Sequence, residues 1–92
     1  MGRERAETIA LQALAWLLAN DDLRPVFLGS TGATPADLAA RTGEASFQVA
    51  VLQFLTMDDA WIIAFCDSQG LPFDQPLSAL HALPGGAPVH WT

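Results

Sequence analysis

The sequence predicts an all-α fold, a compact bundle of five to six short helices joined by short turns. Three observations predict it. Apolar residues recur at helical spacing along most of the chain. Cap residues and glycines punctuate it at short intervals. The connections are only a few residues long, so consecutive helices should pack as neighbours.

Helix one is expected from about Arg5 to Ala19. Ile9, Ala13, Trp16 and Leu17 follow helical spacing, and Leu11, Leu14 and Leu18 widen the stripe. Glu4 and Glu7 lie near its start, where negative charge suits the helix dipole. Asn20-Asp21-Asp22 breaks this helix and offers an N-cap for helix two, about Asp22 to Ser30. Pro25 falls in its first turn, where a missing N–H costs little. Gly32 is the expected stop.

Thr34-Pro35-Ala36-Asp37 marks the start of helix three, with Thr34 as cap, Pro35 at the first helical position and Asp37 completing a capping box. It ends at Gly43, and Leu38 is its main core residue. Helix four covers about Ala45 to Leu55, where Phe47, Val51, Phe54 and Leu55 share a face. Thr56 is expected to cap helix five, with Asp59 three residues on and Gly70 as the stop. The run Ala60 to Cys66 is rich in β-formers. The enclosing cap and stop, and the lack of a partner strand, favour helix. Asp74 is placed to cap a last helix, about Gln75 to Leu83. Helices one, four and five are expected to form the centre. Residues 1–83 then make a single helical domain, and the Pro/Gly break at 84–88 opens a C-terminal tail, 84–92, expected to be flexible.

Composition narrows the possible functions. Ninety-two residues fit one domain. Apolar residues make up 51% and charged residues 15%, against roughly 25% charged in ordinary domains. So few charges leave apolar surface exposed, which suggests a partner or self-association face. The plainer explanation is that alanine inflates the apolar count. The net charge is −6, with no Lys and only Arg3, Arg5, Arg24 and Arg41 as cations. That balance repels phosphate backbones, so nucleic acid is an unfavoured partner. Cys66 is the only cysteine, excluding an internal disulfide. It lies in an apolar run beside Asp67, a setting for an inert thiol rather than a nucleophile. The stretch Ile9 to Ala19 is too short to span a bilayer, and Glu4 and Glu7 spoil a signal-peptide start.

Chemistry-bearing constellations are sparse. Thr34 to Leu55 reads as helix, Gly-containing turn, helix, like a helix-turn-helix DNA reader. Its second helix would open Glu44-Ala45-Ser46-Phe47-Gln48, with no Arg or Lys for phosphate contacts. The pairs Asp21-Asp22 and Asp58-Asp59 sit at helix starts, where capping explains them better than metal binding or acid–base work. His81 is expected at the edge of the core and His90 in the tail, and no metal-ligand spacing joins them. None of the four serines sits in a nucleophile elbow. No cofactor or catalytic residue is expected. Trp16 and Trp61 read as core, whereas Trp91 lies beyond the Pro/Gly break and is a candidate docking anchor.

Three segments carry a family resemblance: Ala10-Leu11-Gln12-Ala13-Leu14, Arg24-Pro25-Val26-Phe27-Leu28 before Thr31-Gly32, and Phe47 to Leu55 followed by Asp58-Asp59. On these the chain resembles a small bacterial family of unknown function, whose members are short, Ala- and Leu-rich and helical. The resemblance extends to about Leu83, and Pro25 departs from the pattern. It implies a cytoplasmic bacterial protein and brings no activity, cofactor or catalytic residue.

The leading expectation is a non-enzymatic protein–protein interaction or self-associating module, with Phe73, Leu77 and Trp91 as candidate partner contacts. A helix-turn-helix nucleic-acid binder using Arg41 is the alternative. A carrier of an apolar ligand between helices is a third.

Overall fold

In the computed structural model, which describes residues 1–86, six helices follow one another: α1 (Arg3–Ala19), α2 (Leu23–Thr31), α3 (Pro35–Arg41), α4 (Ala45–Leu55), α5 (Asp59–Gln69) and α6 (Gln75–Ala82). The all-α expectation holds among these residues. Residues 87–92, including His90 and Trp91, lie outside the described residues, and the expectations placed on them go with them.

Side-chain caps start three of the helices, though not always from the expected residue. At α2 the cap is Asn20, whose Oδ1 accepts from the backbone N–H groups of Asp22 (3.0 Å) and Leu23 (3.1 Å). Asn20 belongs to the expected Asn20-Asp21-Asp22 cap, whereas Asp22 is itself in helical conformation and makes no side-chain capping bond. At α5 the cap is Asp58, which accepts from the Ala60 N–H at 2.8 Å. Thr56 instead ends α4, its hydroxyl donating to the Leu52 carbonyl at 2.8 Å. Asp74 makes no capping hydrogen bond at α6. Gly32 and Gly70 close α2 and α5 in the left-handed conformation, each at φ +68°, where a side chain would be strained.

The capping box of α3 forms as the spacing predicts. Asp37 N–H donates to Thr34 Oγ1 at 3.2 Å, and Thr34 N–H donates to Asp37 Oδ2 at 3.0 Å. The Thr34 N–H and then the Thr34 hydroxyl hold the Asp37 carboxyl below its ordinary value, against a smaller opposing effect of burial, with Arg41 lowering it least. The ionised form therefore favours the fold at neutral pH. That contribution is complete above the ordinary aspartate pKa and is lost as pH falls through the lowered folded value. Thr34→Ala is expected to cost about 0.5–2 kcal/mol in urea denaturation at neutral pH. Asp37→Asn, which removes the ionised acceptor, should lose stability relative to wild type at neutral pH by an amount that shrinks on acidification, and a pH-independent difference would show that the box does not act this way.

Packing corrects the expected centre. α1 packs most extensively on α6 and then on α4, and α4 also packs on α6. α5 was expected in that place, but only Phe65 and Cys66 of its eleven residues are fully buried. The reason lies in side-chain size. α1 turns Ala6, Ala10 and Ala13 inward beside Ile9 and Leu17, and α6 presents Pro76, Ala79 and Leu80. Small residues let helix axes approach closely, which an apolar stripe of large residues does not. α4 is buried along seven of its eleven residues. Leu11 is exposed despite its place in the apolar stripe of helix one, and Leu38 is only half-buried.

Aromatic rings tie the outer helices to this centre. Phe27 meets Phe54 edge-on at 5.3 Å, and Phe54 stacks on Trp61 at 4.9 Å. Trp16 meets Phe65 edge-on at 5.8 Å. The Trp16 and Trp61 rings are half-buried rather than fully enclosed.

Candidate functional site

The inner face of α6 is Pro76, Ala79 and Leu80, continued by Leu83. Leu77 lies off that row and is 47% exposed. Phe73, in the turn before α6, is 54% exposed. Two of the three expected contact residues are therefore at the surface, four residues apart, while Trp91 lies outside the described residues. His81 is exposed, not at the core edge. It was placed there as a neighbour of Leu77, and Leu77 itself faces outward.

Cys66 connects this region to the interior. Its thiol is fully buried and donates to the Pro72 carbonyl at 3.5 Å. Burial pushes its pKa up, and the negative charges of Asp67 and then Asp74 push it further. The thiol therefore stays protonated and inert at neutral pH. Iodoacetamide is expected to label Cys66 only on unfolding, read by mass spectrometry with and without urea. Rapid labelling in native buffer would show that α5 opens.

A second feature is an open groove of about 300 Å³ between the end of α2, α3 and α4. Its floor includes Phe47 and Phe54, and its rim carries Ser30, Thr31, Arg41 and Met57. The Arg41 guanidinium lies 5.4 Å from the Phe47 ring centroid and pairs with Glu44 at 3.1 Å. Sequence reasoning assigned both Phe residues to the core and passed over Met57. The available signal was a large apolar residue in the Thr56-Met57-Asp58 turn, and Met57 is 73% exposed.

The helix-turn-helix geometry is α3 followed by α4. A reading helix must present side chains to the groove of DNA. α4 exposes Ser46 and Gln53 and spends its remaining surface on the core. Its buried Gln48 donates to the Thr42 carbonyl at 2.9 Å, tying α4 to the preceding turn. Among the described residues, no group of three or more His, Cys, Asp or Glu is placed to hold a metal ion. No single described helix is long and apolar enough to cross a membrane.

No curated protein and no solved structure matches the chain. A family model does match it, over residues 3–86, which takes in all six helices. The chain therefore belongs to DUF3572, a family of proteins of unknown function.

Proposed function

We propose that this chain is a non-enzymatic interaction module that uses the surface around Phe73 and Leu77. The observation that carries this reading is the outward placement of both side chains on a protein with few charges. A Phe in the turn before α6 and a Leu on its first turn, four residues apart and both exposed, offer the kind of apolar anchor that interfaces bury. Trp91 is proposed to contribute from the C-terminal segment. The setting we propose is a bacterial cytoplasm, where a single buried thiol such as Cys66 remains reduced. Nucleic acid is a weaker candidate, because the net charge is −6 and the exposed side chains of α4 carry no cation.

The test compares wild type with Phe73→Ser/Leu77→Ser in nuclease-treated pull-downs and in sedimentation over a concentration series. The double variant should keep wild-type thermal stability, since both side chains are exposed. It should lose a nuclease-resistant partner or a self-associated species that wild type shows. A wild type that stays monomeric at high concentration and retains no protein partner would sink the reading.

A further inference from the structure

The acidic charge is unevenly spread along the chain. Residues 1–41 hold four Arg and five acids, a net of −1. The remaining −5 of the −6 lies beyond Arg41, on Glu44, Asp58, Asp59, Asp67 and Asp74, with no Lys or Arg to offset it. The exposed Phe73 and Leu77 fall within this anionic part.

One of those carboxylates adjoins the apolar pair in sequence, and a second lies on the helix end tied to the same turn. Asp74 is exposed, adjacent to Phe73 and three residues before Leu77. Asp67 is exposed at the end of α5. The bond from Cys66 Sγ to the Pro72 carbonyl holds that end of α5 against the turn bearing Phe73. Among the described residues, neither carboxylate is paired; the ion pairs are Arg3–Glu7, Arg24–Asp21 and Arg41–Glu44.

This charge decides between two kinds of occupant. A second copy of the chain would bring the same carboxylates to the same face, and like charges across an interface oppose association. A partner with Lys or Arg beside apolar side chains satisfies both features. We propose that Phe73 and Leu77, flanked by Asp67 and Asp74, dock a basic amphipathic segment of another protein. The apolar pair supplies burial, and the carboxylates supply orientation and a salt-sensitive approach. The inference rests on the interaction reading above and narrows its partner.

The experiment uses the full chain and a fluorescein-labelled amphipathic helical peptide of Leu and Lys, with a matched Leu/Glu peptide as control, read by fluorescence anisotropy. The Leu/Lys peptide should bind and the control should not. Phe73→Ser/Leu77→Ser should raise Kd about tenfold or more. Asp67→Asn/Asp74→Asn should raise it about threefold and flatten its salt dependence. Amide NMR shifts on adding the peptide should cluster on residues 67–77. Equal binding of the two peptides, an unaffected Asn variant, or shifts centred on the Phe47–Met57 groove would overturn the proposal. If the peptide fails to bind while wild type self-associates through Phe73 and Leu77, the interaction reading survives and the basic partner does not. If neither occurs, both fall.

Discussion

Phe27→Ala is expected to remove much of the protein's stability. Phe27 is fully buried and is the only fully buried residue of α2. Its ring meets Phe54 edge-on, and Phe54 stacks on Trp61, so one chain of rings joins α2, α4 and α5. Truncation leaves a void that three helices must share. Losses for buried Phe→Ala changes run about 3–5 kcal/mol, against a total of about 5–15 kcal/mol for a domain. At about 4–8 °C per kcal/mol for a domain near this size, the melting temperature should fall by more than ten degrees or so. Urea denaturation followed by far-UV circular dichroism gives the number. A loss under about 1 kcal/mol would mean the ring is not packed as described.

Ala13→Leu is expected to destabilise the protein although it adds apolar surface. Ala13 is fully buried on α1, the helix that packs on α6 and α4. Extra methylenes there force the helices apart or into poor rotamers, at about 1–3 kcal/mol and occasionally more. Leu11→Ser, on the same helix, should change stability by about 0.5 kcal/mol or less, because Leu11 is 43% exposed. The pair reverses what a hydrophobicity scale alone would say. If Ala13→Leu stabilises, α1 and α6 are less tightly packed than described.

These two variants mark the limits of reading the chain without its fold. Helical spacing picked out Ile9, Ala13 and Leu17, but not where the inward face of α1 ends. Ile9, Ala13 and Leu17 point inward, while Leu11 points out. The stripe of helix one was wide enough to conceal this, since nearly every position in it is apolar. α5 was misplaced for a related reason. Its run Trp61 to Cys66 is apolar throughout, yet Ile63 and Ala64 are exposed. Hydrophobicity measures a residue's tendency to leave water, and a small bundle has more such residues than interior to hold them.

The capping motifs show a similar division. Thr34 and Asp37 were legible because both bonds of the box span three residues of one helix start. Asn20 was legible within the triplet Asn20-Asp21-Asp22, but Thr56 was not. It stands between two helices, and the choice between ending one and starting the next depends on backbone geometry. For the candidate site, composition pointed to an apolar surface and the C-terminal region supplied Phe73 and Leu77. The groove at Phe47 and Phe54 was not legible, because it forms only where α2, α3 and α4 meet.

What the sequence by itself determined is therefore local or summed: a bundle of five to six short helices, the box at Thr34, the stops at Gly32 and Gly70, the acidic balance and the lone thiol. Each of these depends on neighbours within a few residues or on simple counts. Only the tertiary structure decided that α6 rather than α5 joins the centre, and that Phe73 and Leu77 face out. Those outcomes depend on how closely helices can approach. Small side chains such as Ala10, Ala13 and Ala79 permit that approach only when they meet across an interface, and such meetings are between residues far apart in the chain.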